Sequence, residues 1–145
     1  MAIITAVDPE IHRVIGDRMK VLVEGSATGN GFELFDFEGD LGSGPPPHAH
    51  PWAESIVVLE GEIVVECGAE RAVAVAGTTA VFPAGSVHRF EISSPRARFL
   101  VATTGDRASK FFTDLSANAP DAPTAETLPR IVEIAKRNGL TSPLF

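Results

Sequence analysis

The sequence predicts an all-β barrel or sandwich followed by two short helices, on three observations. Short β-prone runs recur at nearly regular spacing through the first hundred residues, Gly and Pro punctuate them, and the hydrophobic period changes to that of a helix after about residue 105. Val14-Ile15 and Lys20–Glu24 open the series, and Gly25–Gly31 is a turn-rich break. Phe32–Phe37 is aromatic and β-prone, with Phe32, Leu34, Phe35 and Phe37 spread over both faces. Pro45-Pro46-Pro47 removes three successive backbone donors, so Gly42–Pro47 is neither regular strand nor helix. Ser55–Leu59, Gly61 and Glu62–Glu66 read as a hairpin; Arg71–Val75, Thr79–Phe82, His88–Ile92 and Arg98–Ala102 complete the strands. Beyond them Ala108, Phe111, Phe112 and Leu115 share a helical face, as do Leu128, Ile131, Val132 and Ala135. Thr127 fits the second helix's N-cap, Pro129 its first turn and Gly139 its C-terminal stop. The expected organisation is one domain over residues 1–145, with a barrel over about 10–103 and a helical extension over about 106–140 packed outside it.

Composition narrows the function classes. The chain has 145 residues, 44% hydrophobic and 21% charged, with a net charge of −7. Its twelve Lys and Arg residues are scattered and form no basic stripe, which argues against nucleic acid and against an anionic membrane surface as partners. A single cysteine, Cys67, allows no internal disulfide and reads as a small buried hydrophobe. The opening Met1–Asp8 lacks a basic segment followed by a long apolar run, and no stretch approaches the roughly 20 apolar residues of a bilayer span. The expected location is cytoplasmic.

Chemistry concentrates in two clusters. Three of the four histidines lie in Gly42–Gly61 and Gly77–His88. His48, His50 and Glu54 share one parity, so an extended strand would aim all three at one face, and His88 would close the set from elsewhere. Three neutral imidazoles and one carboxylate form a ligand set for a divalent transition metal, and leave the ion with a net charge near +1. Parity also places Ile56 and Val58 with Glu54, and Phe90 and Ile92 with His88, as a pocket wall or as core. Trp52 falls between two ligands at the expected barrel mouth, where it either packs or stacks on a substrate. His12 stands outside both clusters and reads as a surface or structural residue.

Gly42-x5-His48-x-His50-x3-Glu54-x6-Gly61 resembles the first motif of the cupin superfamily at every position, and Gly77-x5-Pro83-x-Gly85-x2-His88 resembles the second. Ile92 stands where that motif usually ends in Asn, a residue that is not a ligand in the family. The resemblance implies a double-stranded β-helix of the jelly-roll type, one bound divalent ion (Fe, Mn, Ni, Cu or Zn) on His48, His50, Glu54 and His88, and a homodimer. Pro45–His50 with Phe111-Phe112 is most similar to small monocupins resembling quercetin dioxygenases, in which the glutamate matching Glu54 also takes a proton from the substrate. The chain has no tyrosine, which disfavours the cupin-like enzymes that use one as a base or crosslink it to cysteine. The implied activity is an oxygen-dependent dioxygenase acting on a small aromatic or enolic molecule. The alternatives are isomerisation or hydrolysis at a redox-inert metal, and a non-catalytic module that binds metal or small ligands.

Overall fold

The computed structural model describes residues 8–145. Met1 to Val7, and with them most of the stretch read above for a leader, lie outside the described residues. Nine strands and two helices follow in order: β1 Ile11–Val14, β2 Asp17–Val23, β3 Phe32–Asp40, β4 Glu54–Glu60, β5 Glu62–Cys67, β6 Glu70–Val75, β7 Thr79–Phe82, β8 His88–Ile92, β9 Arg96–Thr104, α1 Arg107–Asn118 and α2 Leu128–Arg137. A one-turn 3-10 helix, Gly25–Thr28, fills the break between β2 and β3. Among the described residues, no helix is long and apolar enough to cross a membrane.

The strands form a six-stranded sheet, β1-β2-β3-β9-β4-β7, and a three-stranded sheet, β6-β5-β8, antiparallel in every pairing. This is the jelly-roll barrel that the strand spacing and motifs predict. Its core follows from strict alternation. Phe35 and Phe37 on β3, Ile56 and Val58 on β4, and Phe99 and Val101 on β9 face Ile63 and Val65 on β5 and Ile92 on β8. Burial of each such side chain contributes about 1.5–3 kcal/mol before conformational entropy is counted.

One sequence expectation fails instructively. β4 and β5 are not hairpin partners: β4 pairs with β7 and β9, whereas β5 pairs with β6 and β8. Gly61 is therefore the corner at which the chain leaves one sheet for the other. One residue is too short for a hairpin loop. Gly61 takes φ +81°, and a Cβ there would overlap the carbonyl oxygen of Arg96.

The helices also differ from a simple outer coat. Ala108 and Leu115 of α1 are buried, and Phe112 sets its ring edge-on to Phe35 and Phe37 at centroid distances of 5.0 and 5.2 Å. α1 thus completes the core. Its start is held by Glu33, a fully buried side chain whose two carboxylate oxygens accept hydrogen bonds from the Gly25 N–H (2.9 Å) and the Ser109 N–H (2.8 Å). Thr127 stands at the start of α2 without capping it, because its hydroxyl accepts the Thr124 N–H instead; Pro129 occupies the first turn as expected.

Candidate metal centre

His48 and His50 lie on the segment that follows the three prolines, Glu54 opens β4 and His88 opens β8. The segment is not the single extended strand that parity suggested. His48 exchanges backbone hydrogen bonds with His88 (3.0 and 2.9 Å), and the chain then bends through Pro51–Ala53 before β4 begins. The bend follows from Pro51, which cannot donate to a ladder. The four side chains converge all the same: one ligand atom from each lies within 4.8 Å of the others. His50, Glu54 and His88 are buried and His48 is half-buried, so the cluster meets solvent on the His48 side.

The tautomers follow from hydrogen bonding. Each ring directs Nδ1 at a backbone carbonyl: His48 at Pro46 (2.9 Å), His50 at Trp52 (2.8 Å) and His88 at Ser86 (2.9 Å). A carbonyl can only accept, so Nδ1 carries the proton and the neutral ring presents its lone pair at Nε2. His50 Nε2 and His88 Nε2 both face Glu54 Oε2, at 3.1 and 3.0 Å. Two lone pairs aimed at a carboxylate oxygen repel unless a cation lies among them, either a second ring proton or a metal ion. Metal–ligand bonds of about 2.0–2.2 Å at right angles place neighbouring donors about 3 Å apart, so the observed spacing fits a metal shell. Hard oxygen with imidazole nitrogen suits the first-row divalent ions as a class.

Packing holds the rings in place. Trp52 stacks on His50 (4.4 Å, 8°) and Phe82 on His88 (4.4 Å, 14°). Burial pushes the His48 imidazole down to about 4, which favours the neutral, ligating form. Burial works to raise the Glu54 carboxyl, but where a second ring proton on His50 or His88 supplies the cation, its hydrogen bond and charge outweigh burial and hold the group well below the usual carboxylate range.

The remaining sequence candidates divide by depth. Trp52 is buried, and its indole is occupied by His50, with the Arg107 guanidinium 5.9 Å from its centroid; packing is the role it shows. Ile56 follows Glu54 on the inner face of β4. Val58 and Ile92 share the ligands' parity but are four residues further along β4 and β8. At about 3.3 Å per residue they sit about 13 Å deeper, as fully buried core, and not beside the cluster. Phe90 is half-buried and edge-on to Phe99 at 5.3 Å. Cys67 pairs with His88 across β5 and β8 but is outside the cluster, and His12 is remote from it, 4.0 Å from Glu10.

Sequence reading missed Thr103, which lies directly opposite Glu54 across β4 and β9. It is 2% exposed, and its hydroxyl has no hydrogen-bond partner among the described residues. Only the strand register could have revealed it.

A family model for the cupin domain matches residues 37–103, a span that contains all four clustered side chains. Residues 37–103 are therefore a domain of the cupin superfamily. A quercetin 2,3-dioxygenase from Bacillus subtilis (strain 168) is 33% identical over 84 residues, which is 57% of this chain but only 25% of the relative's length. An RmlC-like cupin from Shewanella frigidimarina superposes with a TM-score of 0.63 at 19% identity, covering 71% of this chain and 89% of that one. A polyketide cyclase from Streptomyces resistomycificus superposes with a TM-score of 0.59 at 23% identity, covering 72% and 79%. At these identities the structural matches establish the fold alone.

Proposed function

We propose that this protein is an oxygen-dependent dioxygenase of a small aromatic or enolic molecule. In this reading His48, His50, Glu54 and His88 hold one divalent transition metal, and Glu54 also acts as the base. The observation that carries the reading is the division of labour within the Glu54 carboxylate. Oε2 faces His50 and His88, whereas Oε1 makes no hydrogen bond to any described residue. Oε1 is thus free to accept a proton from a substrate hydroxyl. The partial match to a quercetin 2,3-dioxygenase supports the same reaction class. The metal, when bound, would supply a Lewis-acidic centre for an ionised hydroxyl and for oxygen. The chain supplies the rest. Nδ1 bonds to carbonyls orient the rings, Phe82 and Trp52 exclude water behind them, and half-buried Phe90 offers the apolar wall left after Val58 and Ile92 are taken up in the core.

A homodimer belongs to the same reading. Phe32 and Val81 are exposed on the outer face of the six-stranded sheet, beside Leu34, Val57 and Leu100. Arg18, Lys20 and Arg98 balance Asp36, Glu38 and Glu60 on that face, so two copies would meet there without the repulsion expected of a chain carrying −7. Light scattering at the mass of one chain would remove the dimer.

The test of function is Glu54→Gln, assayed with an oxygen electrode against a panel of small phenols and enols. The variant should retain metal with weakened affinity and lose at least about a hundredfold in turnover. Undiminished turnover would dismiss Glu54 as the base. Turnover by the wild type without oxygen would favour a redox-inert metal doing isomerisation or hydrolysis. Tight ligand binding with no turnover would favour a binding module.

A further inference from the structure

The segment carrying His48 and His50 has little means of holding itself. Three prolines precede it and Pro51 follows, so its backbone donors are few. The His48 N–H reaches the His88 carbonyl at 3.0 Å, on the β8 side. The Ala49 N–H reaches the other way, to the carbonyl of Thr141 at 2.8 Å, and the Thr141 N–H returns a bond to the Ala49 carbonyl at 2.9 Å. The Ser142 hydroxyl then donates to the Pro47 carbonyl at 2.6 Å, across 95 residues of sequence. The short run between the first two ligands is therefore gripped along both edges, by β8 on one side and by the residues after α2 on the other.

That grip is itself anchored. Leu140 is 5% exposed and belongs to the core cluster. Arg107 donates to the Asn138 carbonyl at 3.1 Å, and its guanidinium stands over Trp52, whose indole stacks on His50. The residues after α2 thus reach the ligand segment twice, directly through the Thr141 backbone and indirectly through Arg107, which links Asn138 to Trp52.

We propose that Thr141 and Ser142 are positioning residues of the metal centre: they form a clamp that sets the spacing of His48 Nε2 and His50 Nε2. The proposal rests on the metal reading above. Ligand-supporting contacts of this kind typically govern metal affinity by about 10- to 100-fold, because they fix donors that would otherwise have to be ordered on binding.

The experiment compares the full chain with Ser142→Ala, Ser142→Thr and a chain ending at Leu140. Zn2+ affinity is measured against a competing chelator, and hydrogen exchange at the Ala49 amide is followed in the metal-free proteins. Thermal melting identifies the variants that remain folded. Removal of residues 141–145 should weaken Zn2+ binding at least about tenfold and speed Ala49 exchange by a similar factor. Ser142→Ala should weaken binding severalfold, and Ser142→Thr, which keeps the hydroxyl, should restore it. If the shortened chain does not fold, the Ser142 pair decides. A folded variant without the clamp that binds Zn2+ as tightly as the full chain overturns the proposal, as does fast Ala49 exchange in the full chain. If the full chain binds no Zn2+, Ni2+ or Mn2+, the metal reading fails and the positioning role fails with it. Unchanged affinity in a variant of a metal-binding full chain removes the positioning role alone.

Discussion

At one end of the barrel three imidazoles converge on Glu54; at the other, Asp17 is buried against Ser43. The same strands serve both ends. β3 runs from Glu33, in the row with Thr103 and Glu54, to Gly39, beside Asp17. A Cβ on Gly39 would overlap the Asp17 carboxylate, so the far end is closed by backbone approaching a side chain, with Ile92 against the same glycine. The two ends bury ionisable groups by different routes. At the histidine end, donors that repel one another are gathered so that a cation can lie among them. At the far end burial outweighs the Ser43 hydrogen bond and the nearby Arg18, and raises Asp17 from 3.8 to about 6. A cluster shaped to hold charge and a single group shaped to shed it can share one barrel because about six residues of β3 separate them.

The most severe way to break this contrast is His88→Ala. It should abolish stoichiometric metal in elemental analysis, because it removes one of the four proposed donors while the backbone bridge to His48 and the far end stay intact. Retention of one metal per chain would show that the cluster is not the site. Gly61→Ala attacks the opposite end. Its Cβ meets the Arg96 carbonyl at φ +81°, so a loss of about 3 kcal/mol or more is expected in denaturant unfolding, with the metal content of the folded fraction unchanged.

The mildest test is electrostatic and is read on metal-free protein in chelator. Asp17 has a folded pKa above its ordinary value, so its contribution is full below about pH 3.8 and is lost as pH rises through about 6. His48 is shifted the other way, from 6.5 to about 4, so its contribution is present above 6.5 and is lost as pH falls towards 4. The two partly cancel across the same window. Asp17→Asn removes one of them. The variant should gain up to about 3 kcal/mol on the wild type as pH rises from 4 to 7, and should lose stability more steeply on acidification. Parallel pH profiles for the two proteins would show that Asp17 is not the group shed at the far end.

The four clustered side chains were legible because their signal is local. His48, His50 and Glu54 lie within seven residues, and His88 follows a Gly–Pro–Gly pattern of its own. The jelly roll was legible from strand spacing and motif together, and the core faces from alternation. Pairing was the part that could not be read. Gly61 looks the same in sequence whether it closes a hairpin or turns a corner, and only the partners of β4 and β5 distinguish the two. Ile92 and Val58 had the right parity, but depth along a strand is set by register. The bonds from Thr141 and Ser142 to the ligand segment span most of the chain, and no periodicity within either segment announces them.

The position of β9 has a consequence for assembly. Residues 96–104 lie between β3 and β4 and pair with both. A ribosome delivers β3 and β4 long before the strand that joins them, so both must wait with open edges and bare apolar faces. Most of the contacts that close the sheet then form in one late, non-local step, the slow kind for β topologies. Nascent or proteolysed chains that stop short of residue 96 would expose two unpaired edges to each other and to their neighbours, which makes the ninth strand the point at which this chain passes from aggregation-prone to committed.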